Sequence, residues 1–112
     1  MTDMQRSIEI FRRRYPEYAE AENARDQCRT ASARFCDILI AEGVPASNVY
    51  VDEIAIVDGV LHYAAVVKTG GGYAAYDFTA RQFKADAPWP VILDPGEEWD
   101  VVPQSYQASE AS

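Results

Sequence analysis

Histidine is almost missing from this chain: one imidazole, His62, stands among 112 residues. Cysteine is nearly as scarce, with Cys28 and Cys36 the only two. That set supplies neither a C-x-x-C knuckle nor the ligands of a structural zinc site, so no metal and no other cofactor is expected. Asp52, Glu53 and Asp58 read as a solvated strand edge rather than as ligands. A disulfide is excluded as well. If both cysteines lie on one helix they stand about 12 Å apart, beyond the roughly 7 Å that a bridge spans. Basic residues are outnumbered, 10 Lys and Arg against 18 Asp and Glu, for a net charge of -8. This argues against direct nucleic-acid binding and against anionic membranes. The local run Arg12-Arg13-Arg14 reads as a solvated helix face. No apolar run approaches the roughly 20 residues that cross a bilayer. The first residues, Met-Thr-Asp-Met-Gln-Arg, lack the apolar core of a secretory signal, and the expected compartment is the cytoplasm.

What is present is enough for a core. The chain is 48% hydrophobic and 12% aromatic, which suits one domain without staples. The domain is expected over residues 1–103, with a flexible polar tail at 104–112. Residues 4–13 read as an amphipathic helix that Tyr15-Pro16 interrupts. Residues 17–25 read as a second short helix with Pro16 in its first turn. The strongest helix signal covers 28–42, with Ala31, Phe35, Ile38, Leu39 and Ile40 as its apolar members and Gly43 as its stop. The second half turns β-rich. Strands are expected at 49–57, 60–68 and 73–79, joined by Asp58-Gly59 and the Gly70-Gly71-Gly72 run. A short strand at 91–93, a turn at Asp94-Pro95-Gly96 and an edge strand at 99–102 complete the reading. Helices first and an antiparallel meander second make an α+β fold, with the helices on one face of the sheet.

Three chemistry-bearing residues fall in a telling order. Cys28 opens the best helix, His62 lies on one strand, and Asp77 lies on the next. A helix N-terminus favours negative charge and lowers a thiol pKa. If Gly70-Gly71 is a two-residue turn, His62 and Asp77 share a face as diagonal neighbours, about 7–8 Å apart at Cα. A turn at Thr69-Gly70 makes them directly opposite, and a three-residue loop weakens the pairing. For Cys28 to join them, its helix is expected to pack on the face that carries His62 and Asp77.

The run Asp26-Gln27-Cys28-Arg29-Thr30-Ala31-Ser32, then His62-Tyr63-Ala64-Ala65-Val66, then Tyr76-Asp77-Phe78-Thr79-Ala80-Arg81-Gln82-Phe83, resembles the papain-like cysteine hydrolase superfamily. The compact NlpC/P60-like, transglutaminase-like and papain-fold toxin branches look nearest, and the resemblance covers residues 20–93. It implies a papain-like core in which Cys28 is the nucleophile, His62 the base and Asp77 the group that orients the base. The Cys-Gly-Ser-Cys-Trp signature of papain itself and the Asp-Cys-Ser-Gly run of many NlpC/P60 enzymes are absent. The family's oxyanion-hole side chain falls to Asn23 or Gln27. Arg81, Trp89 and Tyr76 are candidates for the substrate cleft. The bland alternatives are a salt bridge for Arg81, and closing the core under a loop for the two aromatics.

The expected activity is a cysteine-dependent hydrolase or acyltransferase acting on an amide-type bond. Its substrate would be a peptide, a protein or a cell-wall fragment. The alternatives are a non-enzymatic acidic binding protein, either an inhibitor or a mimic of nucleic acid, and a degenerate hydrolase fold kept for binding. Composition does not fix an oligomeric state.

Overall fold

The protein is described by a computed structural model over residues 3–57 and 60–93. The expected Asp58-Gly59 turn, the turn at 94–96, the strand at 99–102 and the tail at 104–112 lie outside these residues. The elements run α1 (Asp3–Arg14), a 3-10 turn (Pro16–Ala19), α2 (Ala21–Ala24), α3 (Cys28–Ala41) and a 3-10 turn (Ala46–Asn48). Then come β1 (Val49–Val57), β2 (Val60–Thr69), β3 (Gly72–Asp77), a 3-10 turn (Ala80–Gln82) and β4 (Val91–Leu93). The four strands form one antiparallel sheet in the order β1-β2-β3-β4. The fold is α+β. No helix among the described residues is long and apolar enough to cross a membrane.

Strand alternation sorts the core into two layers. Ala65, Val67 and Tyr76 face the helices and pack with Phe11, Phe35 and Leu39. Ala64, Val66 and Ala75 face the other way, where Ala80, Phe83 and Ala87 from the loop after β3 join them. On the helix side an aromatic cluster locks α1 and α3 to the sheet. The Phe11 and Phe78 rings stack at 3.9 Å between centroids, and Phe35 lies 4.8 Å from Phe78. Truncating a fully buried Phe of this kind to Ala costs about 3–5 kcal/mol.

α3 buries Ala31, Ser32, Phe35, Cys36, Ile38 and Leu39, a stripe at the i, i+3, i+4 spacing of one helix face. Ile40 falls off that stripe and is exposed. The helix closes on a Schellman cap. The Val44 N–H donates to the Leu39 carbonyl and the Gly43 N–H to the Ile40 carbonyl. Gly43 sits at φ +104°, a backbone shape that side chains rarely adopt.

The expected helix over 17–25 is broken in two. Tyr18 and Ala24 are both buried, yet six residues turn about 240° round a continuous helix. The extended backbone at Glu20 (φ -94°, ψ 132°) lets both reach the core. Asp26 then takes a left-handed φ of 60° and re-aims the chain into α3. Its N–H donates to Gln82 Oε1 over 3.4 Å.

Candidate active site

The turn between β2 and β3 has two residues, Gly70 and Gly71, because Thr69 pairs with Gly72. That register places Tyr76 opposite Ala65. One step further, Asp77 falls opposite Ala64, on the face of His62 and diagonal to it. The two side chains meet: His62 Nε2 lies 2.6 Å from Asp77 Oδ2, and both residues are only 1% exposed.

Asp77 is itself held rigid. Its other oxygen, Oδ1, accepts the Thr79 N–H at 2.8 Å and the Thr79 hydroxyl at 3.1 Å. This is an Asx turn, and it ends β3. One carboxylate therefore turns the chain with Oδ1 and orients the imidazole with Oδ2. The Phe83 ring packs edge-on against the imidazole, 4.9 Å between centroids.

Cys28 reaches this pair by a route that corrects the expected packing. α3 does not cross the face of His62 and Asp77; it lies on the opposite face, against Ala65 and Val67. The β2–β3 ladder ends at the Ala65–Tyr76 pair and β3 itself ends at Asp77, so β2 runs on past the end of β3 at His62 and Tyr63. The first turn of α3 abuts this stretch. Cys28 shares the buried stripe of its helix, three and four residues before Ala31 and Ser32, so its side chain is aimed at the sheet. His62 and the backbone N–H groups of Tyr63 and Arg29 are the neighbours that draw the Cys28 thiol pKa down. With Nε2 committed to Asp77 at 2.6 Å, Nδ1 is the ring nitrogen left for a second partner.

The electrostatics follow from these contacts. Burial pushes the Cys28 thiol up, but the His62 hydrogen bond, the Tyr63 N–H, the imidazole charge and the Arg29 N–H outweigh it. The thiol ends below its ordinary value. Burial pushes the imidazole down, yet the hydrogen bond and charge of Asp77, and then those of Cys28, carry it up to about 9. The two shifts run in opposite directions, the sense in which the charged form of each partner favours that of the other. Cys28 is half-buried. Cys36 is a contrast: it is buried in the helix stripe, and burial together with Asp37 pushes its thiol up to about 11. Both thiols are free, and the described residues hold no cluster of His, Cys, Asp and Glu suited to a metal ion.

The remaining candidates are placed elsewhere or otherwise engaged. Tyr76 is on the helix face, packed on Phe35 at 5.5 Å between centroids, so it is turned away from Asp77. Arg81 ties the loop down: Nε donates to the Ala87 carbonyl at 3.0 Å and Nη1 to the Ala19 carbonyl at 3.1 Å. Trp89 donates Nε1 to the Phe78 carbonyl at 3.1 Å and packs with the helix-side core. Its own carbonyl accepts from Arg12. Asn23 stands exposed on α2, and Gln27 is half-buried with no side-chain cap bond onto α3. The donors at the sulfur are backbone groups instead. Thr79, whose Asp-x-Thr spacing signals an Asx turn, belongs to the site through Asp77. So do Arg29 and Tyr63, for which local sequence holds no signal. A groove of about 500 Å³ runs between α1 and β4, lined by Ile8, Arg12, Pro90 and Ile92 among others. Cys28, His62 and Asp77 are not among its lining residues, so it is separate from that cluster.

No family model, curated protein or solved structure matches the chain.

Proposed function

We propose that the protein is a cysteine-dependent hydrolase or acyltransferase with a compact papain-like core, acting on an amide-type bond of a peptide, protein or cell-wall fragment. The observation that carries this reading is the buried His62–Asp77 bond at 2.6 Å with Cys28 as the other neighbour of the imidazole, a neighbour that raises its pKa while His62 lowers that of the thiol. A buried structural histidine needs hydrogen bonds but not a half-exposed thiol on one side and a doubly anchored carboxylate on the other.

The mechanism assigns each residue one task. The Cys28 proton passes to His62 Nδ1, and the thiolate attacks the carbonyl carbon. A C–S bond forms as the carbonyl π electrons move onto oxygen, and N–H groups at the start of α3 are the candidate donors to that oxyanion. Collapse of the intermediate breaks the C–N bond, and the leaving amine takes the proton from His62. Water or a second amine then gives a proton to His62, attacks the thioester and releases Cys28, which regains its proton from the imidazolium. Asp77 keeps the imidazole in the tautomer that leaves Nδ1 for sulfur.

The test is acylation by p-nitrophenyl acetate, followed by mass spectrometry. The expected result is a burst of p-nitrophenol with the acetyl group on Cys28, lost in Cys28→Ala and strongly slowed in His62→Ala. Acetylation that spares Cys28, or that proceeds equally in folded His62→Ala, sinks the reading.

A further inference from the structure

We infer that Arg29 selects acyl donors that carry a carboxylate beside the carbonyl attacked by Cys28, as an acidic peptide does; this rests on the nucleophile reading above and names its substrate class. Arg29 follows Cys28 on the first turn of α3 and is exposed. Its guanidinium is nevertheless fixed. Nη2 donates to the Tyr63 hydroxyl at 2.6 Å, and the guanidinium carbon lies 4.2 Å above the Tyr63 ring. Tyr63 is the residue after His62, and its backbone N–H is among the groups that draw the Cys28 thiol pKa down. The same tyrosine holds the arginine with its side chain.

The arrangement fits an anion. Stacking on an aromatic face leaves the edge of the guanidinium outward, and four of its five N–H donors remain after the Tyr63 bond. That edge matches a carboxylate bidentately. Side-chain entropy already lost to the Tyr63 contacts is not lost again on binding. Among the described residues no carboxylate forms an ion pair with Arg29; the ion pairs there are Arg6–Glu42 and His62–Asp77. The neighbouring charges are Arg25 and Asp26 on the preceding turn, and Glu53, which lies across from Tyr63 on β1. All three are exposed. The surface of a chain with net charge -8 repels anions in general. Arg29 and the start of α3 place positive potential beside the sulfur.

The experiment compares two alkylating agents of nearly equal shape. Iodoacetate is anionic and iodoacetamide neutral, and each forms one C–S bond at Cys28 with loss of iodide. The ratio of their rates cancels the thiolate fraction and reads charge recognition alone. Ratios are measured near pH 7 at low salt, with Cys28 modification followed by mass spectrometry, in wild type, Arg29→Gln, Arg29→Lys and Arg25→Gln. The expected result is an iodoacetate-to-iodoacetamide ratio that falls about fivefold in Arg29→Gln, the scale of one exposed charge contact. Arg29→Lys is expected to fall between, and Arg25→Gln to match wild type. High salt is expected to erase the difference. An unchanged ratio in Arg29→Gln, or an equal fall in Arg25→Gln, overturns the assignment to Arg29. A Cys28 inert to both reagents in the folded protein overturns the nucleophile reading itself, a different outcome from a flat ratio.

Discussion

Replacing His62 with alanine removes the group that stabilises the Cys28 thiolate most, and the size of the effect can be worked out beforehand. A hydrogen bond to a charged partner contributes about 1.5–3 kcal/mol. One pKa unit is 1.36 kcal/mol, so the loss raises the Cys28 pKa by about one to two units. Below that pKa the thiolate fraction, and with it the alkylation rate, falls about ten- to a hundredfold. The assay is iodoacetamide labelling from about pH 5 to pH 9.5, with the modified residue read by mass spectrometry and folding checked by circular dichroism. Cys36, pushed up to about 11 by burial, serves as an internal standard that stays unlabelled while the fold is intact. His62→Ala also leaves the Asp77 carboxylate without its buried partner, which can cost several kcal/mol. Asp77→Asn is the companion variant. It keeps the shape of the contact, weakens the imidazolium and moves the Cys28 midpoint in the same direction. A Cys28 midpoint that is the same in wild type and in both folded variants refutes the thiolate–imidazolium pair.

In Cys28→Ala, where the thiol's own titration is removed, stability depends on pH through His62. Without Cys28 the Asp77 hydrogen bond and charge still raise its folded pKa above 6.5, to less than the about 9 of the wild type, so the stabilisation is complete below 6.5 and disappears as pH rises through the folded value. Urea unfolding of that variant is expected to show a loss of up to about 3 kcal/mol across this window, and stability that rises with pH there contradicts a protonated His62. Thr79→Val removes one of the two bonds to Asp77 Oδ1 and keeps the N–H bond. It is expected to lower stability by about 1 kcal/mol in urea titration, and an unchanged midpoint means that the hydroxyl does not anchor the carboxylate.

Local signals carried much of this architecture. The glycine pair at 70–71 fixes the β2–β3 register, and the register alone places His62 and Asp77 on one face. The α3 stripe and its glycine stop are equally local. What the chain order could not convey was where β3 stops. Asp77 ends the strand by binding Thr79, and only that termination leaves His62 and Tyr63 open to the start of a helix lying on the other face. Tyr76 neighbours Asp77 in sequence, but strand alternation turns it to the helix side, into the core that was its alternative place. Arg81 reaches back 62 positions to the Ala19 carbonyl, a contact that no periodicity announces. The break at Glu20 likewise answers to tertiary packing of Tyr18 and Ala24, which overrides the helical preference of the segment.

The end of β3 at Asp77 also sets the order in which chemistry can appear during synthesis. Cys28 emerges early, on the helical half, while His62 and Asp77 emerge 34 and 49 residues later. Until the β2–β3 hairpin closes and Thr79 turns the chain, Cys28 is an ordinary thiol at the start of a helix that has no sheet to pack on. Under the proposed function, reactivity is thus withheld from the nascent chain and switched on by completion of the fold. A polypeptide halted before residue 77 would carry the sulfur without the chemistry.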